Sequence, residues 1–129
     1  LKEVELMVSG TLKSGARLRL GGKRPEGFDR GFFYEPTVFD QVPDHAPIMQ
    51  EEPFGPLVPI TTFRSFEEVI ERANGVEYGL TSYVFTRSQR LAHDTANALE
   101  AGMVGVNTFA LVSAETTYGG IKQSGYERE

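Results

Sequence analysis

Residues Glu51-Glu52-Pro53-Phe54-Gly55-Pro56 put two carboxylates and an aromatic ring on one short segment. Proline fixes φ and glycine reaches unusual dihedrals, so the segment reads as a shaped loop, not a helix or a regular strand. A carboxylate can accept hydrogen bonds from two neighbouring hydroxyls, and an aromatic ring can pack against a planar group. The pair suits a ligand with sugar hydroxyls beside a flat ring, as in a nicotinamide riboside. An acidic surface turn ahead of a strand is the other reading of the same residues.

Other constellations are poorer. The chain has two histidines, His45 and His93, far apart and without carboxylates at ligand spacing, so no metal site is expected. It has no cysteine, which excludes disulfides and thiolate metal sites. Ser113 and Ser124 lack a G-x-S-x-G elbow. Gly119-Gly120-Ile121-Lys122 lacks the G-x-x-x-x-G-K-[ST] spacing of a phosphate loop and reads as a backbone turn with a solvated lysine. No G-x-G-x-x-G dinucleotide fingerprint occurs.

The elements that must position these residues follow from periodicity. Leu1, Val4, Val8 and Leu12 form one apolar helical stripe, ended by Gly15. Ala16 to Leu20 alternates apolar residues with Arg, as a strand with one wet face does. Phe32 to Phe39 is β-prone but interrupted by Pro36, which suggests an edge or irregular strand. His45 to Pro56 reads mostly as loop, and Leu57 to Phe63 as a buried strand. Ser65 and Glu68 form a capping box for a helix whose buried face is Phe66, Val69, Ile70 and Ala73. Thr81 to Phe85 is a strand. Thr86 or Ser88 caps the next helix, Gly102 ends it, and Met103 to Asn107 is another strand. Alternating strands and helices argue for an α/β fold, an open and mostly parallel sheet with flanking helices. Thr108 to Glu129 is irregular, and a loop of that length beyond a strand end is a natural ligand-binding segment.

At 129 residues a single domain, 1–129, is the expectation. Hydrophobic content of 40% and charged content of 24% are those of an ordinary globular chain. No apolar run approaches the ~20 residues of a membrane span, so no membrane partner is expected. A net charge of −5 disfavours nucleic acid, although Lys13, Arg17, Arg19, Lys23, Arg24 and Arg30 enrich the first part in base.

Several ordered segments carry a family resemblance. They are Gly31-Phe32-Phe33-Tyr34-Glu35-Pro36-Thr37-Val38, Glu51 to Pro56, Ala73-Asn74-Gly75-Val76-Glu77-Tyr78-Gly79-Leu80, Ala101 to Asn107, and Tyr118-Gly119-Gly120-Ile121-Lys122-Gln123-Ser124-Gly125. Together they resemble the C-terminal part of the catalytic domain of NAD(P)-dependent aldehyde dehydrogenases, over nearly the whole chain. The resemblance implies oxidation of an aldehyde, a semialdehyde among the candidates, to a carboxylic acid with NAD or NADP. It implies a Cys nucleophile, a general-base Glu and a cofactor domain upstream of Leu1. No catalytic residue is then expected in this chain, which looks like a truncated piece, inactive alone. Glu52 would bind the nicotinamide ribose and Phe54 would pack near the nicotinamide. Thr108, Phe109, Val112 and Tyr118 would line the substrate tunnel. Tyr118 departs from the family's Phe, and its hydroxyl would favour a polar aldehyde. Asn107 would satisfy backbone groups where the tunnel loop begins. A cytoplasmic homo-oligomer is the implied setting. The alternative is a noncatalytic module acting by protein contact, favoured by the missing cysteine.

Overall fold

A computed structural model describes residues 1–28 and 30–126. They form two compact units, Leu1–Thr62 and Phe63–Glu129, where length alone suggested one.

The first unit begins with helix α1, Lys2–Lys13. Val4 and Val8 are buried as the stripe requires, but Thr11 completes the buried face and Leu12 is exposed. Each four-residue step overshoots a helical turn, so a 4-8-12 series drifts off the face that 4-8-11 keeps. Three strands follow: β1 (Arg17–Leu20), β2 (Thr37–Asp40) and β3 (Leu57–Pro59), in the order β1-β2-β3. β2 pairs antiparallel with β1 and parallel with β3. The strand expected to be an edge or irregular strand is therefore central. Pro36 lies just before it, and the ladder starts at Thr37, whose N–H donates to the Pro56 carbonyl at 2.8 Å. Pro59 falls on the outer strand β3, where a missing N–H is tolerated.

All four residues of β1 are exposed, which corrects the expected half-buried strand. Its arginines flank Asp40 instead, with Arg19 Nε at 3.3 Å and Arg17 Nε at 4.0 Å from the carboxylate. Helix α2, Pro47–Gln50, shortens the expected loop. Val4, Val8, Phe39, Val42, Ile48 and Leu57 lie at the core, so α1 and α2 pack on the sheet through them. Thr37 is also buried; its hydroxyl accepts from Gly22 N–H and donates to the Glu35 carbonyl, both at 2.8 Å. On the surface, Arg24 donates twice to the Glu5 carboxylate, at 2.8 and 3.4 Å. That hydrogen bond holds the Glu5 carboxyl below its ordinary pKa.

The second unit holds helix α3 (Phe66–Asn74), β4 (Tyr78–Gly79), β5 (Thr81–Val84), helix α4 (Gln89–Ala98), β6 (Met103–Val106) and β7 (Ile121–Lys122). Ser65 Oγ accepts from Glu68 N–H at 3.1 Å, and Glu68 reaches back to Arg64 N–H at 2.8 Å, one residue before the expected partner. Ser88 caps α4 by accepting from Leu91 N–H, and Thr86 Oγ1 in turn accepts from Ser88 N–H. Helix α4 ends at Ala98, with Leu99 as its C-cap, before Gly102. β5, α4 and β6 make a crossover unit, with β5 and β6 parallel, while β4 and β7 pair antiparallel. The fold is α/β. The buried residues of this unit, among those described, are all glycines: Gly79, Gly105, Gly119 and Gly120. Backbone packs on backbone here, and Ala73, expected in the buried face of α3, is exposed, as is Leu91 on α4. No helix among the described residues is long and apolar enough to cross a membrane.

Candidate functional site

In the first unit, α2 delivers the acidic loop. Glu51 N–H closes the helix on the Pro47 carbonyl at 2.9 Å. Gly55 N–H then donates to Pro53 and Leu57 N–H to Gly55, both at 2.8 Å, so the loop folds through two tight turns. A Cβ on Gly55 would meet Val4 Cγ2 at 2.7 Å; the missing side chain lets the loop sit against α1. Between them lies a groove of about 450 Å³ bordered by Glu3, Leu6, Met7, Glu51, Glu52 and Phe54. Phe54 is 83% exposed. Glu52 is exposed, and no hydrogen bond or ion pair ties its carboxylate among the described residues. The groove thus has the Glu52 carboxylate and the Phe54 ring on one border, the first untied and the second uncovered. Three carboxylates and no cation line it, so it suits hydroxyls and a cationic or neutral ring, not a phosphate.

In the second unit, β6 ends at Val106 and is followed by Asn107, which has a left-handed backbone (φ 54°). Its side-chain oxygen accepts from Thr86 N–H at 2.9 Å and its amide donates to the Thr86 carbonyl at 3.0 Å. Asn107 therefore ties the end of β5 to the end of β6 and starts the loop 108–118. The Phe109 ring rests on Tyr83 and Phe85, with centroids 5.2 and 4.8 Å away. Phe109, Val112 and Tyr118 border one depression of about 330 Å³, with Leu80, Tyr83 and Met103. Thr108 is not part of that lining. Its hydroxyl accepts from Ala110 N–H at 3.0 Å and shapes the loop. Further along, a hydrogen bond from Ser113 holds the exposed Glu115 carboxyl below its ordinary pKa.

The sequence profile described as "Aldehyde dehydrogenase family" matches residues 1–129. The chain belongs to this family. It is 48% identical to human retinaldehyde dehydrogenase 3 over 128 residues, covering 99% of this chain and 24% of that protein. It is 43% identical to 3-sulfolactaldehyde dehydrogenase of Pseudomonas putida, covering all of this chain and 26% of that one. Among solved structures, the P. syringae indole-3-acetaldehyde dehydrogenase with NAD+ and IAA superposes with a TM-score of 0.94 at 41% identity, over 99% of this chain and 26% of that one. The Mycobacterium tuberculosis aldehyde dehydrogenase with NAD+ gives 0.93 at 38% identity, over 98% and 26%. The chain spans about a quarter of the length of these relatives.

Within this aldehyde dehydrogenase chain, sequence reasoning missed two groups of residues. Tyr83 and Phe85 on and after β5 support Phe109; their aromatic character was visible, their partner was not. Lys122 is partly buried and tied down, not a free lysine on a turn. Its ammonium donates to the Asn74 carbonyl at 2.7 Å and the Val76 carbonyl at 3.1 Å, and pairs with Glu100 at 2.6 Å. Asn74 itself donates to the Ala98 carbonyl and accepts from Glu100 N–H, both at 2.8 Å, so the ends of α3 and α4 are fastened together. No cluster of potential metal ligands occurs among the described residues.

Proposed function

We propose that this chain is a C-terminal segment, 1–129, of the catalytic domain of an NAD(P)-dependent aldehyde dehydrogenase that oxidises an aldehyde to a carboxylic acid. The observation that carries the reading is the untied Glu52 carboxylate beside the uncovered Phe54 ring on one groove, in a chain whose whole length matches the family. NAD(P)+ supplies the hydride acceptor when bound. Glu52 accepts hydrogen bonds from the nicotinamide ribose hydroxyls, and Phe54 covers one side of the ring. The groove's three carboxylates suit the riboside end, so the pyrophosphate is held by groups outside this groove.

In the second unit, Phe109, Val112 and Tyr118 form part of the aldehyde passage, with Thr108 shaping the loop they stand on. No cation lines this depression. An aromatic aldehyde suits its rings directly, whereas the carboxylate of a semialdehyde takes its counter-charge from elsewhere. A homo-oligomer in the cytoplasm is the setting that family membership favours. The test is aldehyde-dependent NAD(P)H formation by the enzyme that carries this chain. Phe54→Ala should raise KM for NAD(P)+ about tenfold, the size of one lost ring contact of ~1.4 kcal/mol. An unaltered KM would remove Phe54 from the cofactor site.

A further inference from the structure

The loop 108–118 is anchored at both ends, and its second anchor has no assigned role. At the start, Asn107 grips Thr86. At the far end the chain re-enters the fold through Gly119 and Gly120, both buried, and forms the two-residue pairing of β7 with β4. Two residue pairs are too few to fix a strand by themselves. Side chains add to the hold. Ser124 Oγ accepts from Gly79 N–H at 3.0 Å, and the Gln123 side-chain amide donates to the Glu77 carboxylate at 2.7 Å, beside the backbone bond from Gln123 N–H to the Glu77 carbonyl at 2.9 Å.

Lys122 differs from these in two respects. Its backbone is left-handed (φ 54°), a conformation that costs a side-chain-bearing residue energy and persists only where surroundings over-determine it. Its ammonium reaches two carbonyls at the exit of α3 and the carboxylate of Glu100 just after α4. Positive charge at helix C-terminal carbonyls is favourable, and the carboxylate completes the ammonium's donors. One side chain thus joins β7 to the exits of both helices.

We propose that Lys122 is a positioning residue for aldehyde binding: its latch on Asn74, Val76 and Glu100 fixes the far end of loop 108–118 and hence Tyr118. The inference rests on the reading of that loop as a wall of the aldehyde passage. Releasing the latch lets Tyr118 move while Glu52 and Phe54, on the other unit, keep their own supports. The signature is therefore a split between the two substrates.

In the enzyme that carries this chain, Lys122→Met should raise KM for aldehyde about tenfold, the scale of a sub-ångström misplacement, and leave KM for NAD(P)+ within about twofold. Lys122→Arg, which keeps the charge and donors, should recover most of the loss. Phe109→Ala serves as the control for the loop itself and should also raise aldehyde KM. If Phe109→Ala raises it and folded Lys122→Met does not, the latch is overturned and the loop reading stands. If neither raises it, the loop reading falls and the latch with it. Equal rises in both KM values for Lys122→Met would also overturn the latch, as they mark general damage. Should Lys122→Met fail to fold, Glu100→Gln decides: its carboxylate is half exposed, and aldehyde KM unchanged in that variant would overturn the proposal.

Discussion

Gly102→Ala should open the second unit locally, for a reason written in its neighbours. A Cβ at Gly102 would meet the Gly119 carbonyl group and lie 2.9 Å from Gly120 Cα. Ordinary Cβ contacts begin about half an ångström further out, and every atom in the way is backbone, so no side chain can swing aside. Overpacking costs roughly 1–3 kcal/mol, and rigid backbone on the far side places this case at ~3. The strand β6 enters the sheet at this point, with Gly102 N–H on the Gly79 carbonyl and Met103 N–H on the Leu80 carbonyl, both at 3.0 Å. Amide hydrogen exchange at those two N–H groups reads the local opening directly. About 3 kcal/mol corresponds to roughly 150-fold faster exchange. Gly15→Ala is the contrast: nothing lies within 4 Å of its Cβ, but φ is +101°. That change should cost only the backbone term, ~1 kcal/mol, about fivefold, and only around α1's exit. Exchange at Gly102 and Met103 within about threefold of the parent would refute the backbone-packing argument.

Asn107→Ala loses two exposed hydrogen bonds of ~0.5 kcal/mol each and places alanine in a left-handed backbone for ~1 more, so exchange at Thr86 N–H should quicken about 30-fold. Ser65→Ala removes the cap on Glu68 N–H and should destabilise α3 by ~1 kcal/mol, visible as faster exchange of its first-turn amides. The Glu5 carboxyl is held low by Arg24, so the pair's contribution is complete above the carboxyl's ordinary pKa and is lost as pH falls through the lowered one. Arg24→Gln should return the Glu5 titration, followed by NMR, upward to its ordinary range; an unmoved titration would contradict the pairing.

What the sequence disclosed was local. The Ser65 cap with Glu68 and the Ser88 cap each join residues three apart, and short-range hydrogen bonding is written in residue type and spacing. Asn107 was readable as a turn residue because amides and left-handed backbone go together. The position of β2 was not. Pro36 looked like an interruption within a strand, and only the partner strands show that the ladder begins one residue later. Lys122 was misjudged because its carbonyl partners stand 48 and 46 residues away, and nothing near it in sequence announces them. The exposed Leu18 and Leu20 of β1 escaped for a related reason. Alternation marks a strand with two faces but does not say that both are open. Glu52 and Phe54 stand out as candidates by their types on a stiff loop, and the groove they share needed α1, which lies some fifty residues earlier.

The central claim is that the Glu52 carboxylate holds the nicotinamide ribose, and the hydride-transfer rate of Glu52→Gln in the enzyme that carries this chain tests it most directly. Hydrogen bonds to a charged group are worth about 1.5–3 kcal/mol, so the rate at saturating aldehyde should fall roughly tenfold to hundredfold. The protein should remain folded, because no partner among the described residues depends on that carboxylate. A folded Glu52→Gln enzyme with an unchanged hydride-transfer rate and an unchanged KM for NAD(P)+ would contradict the account.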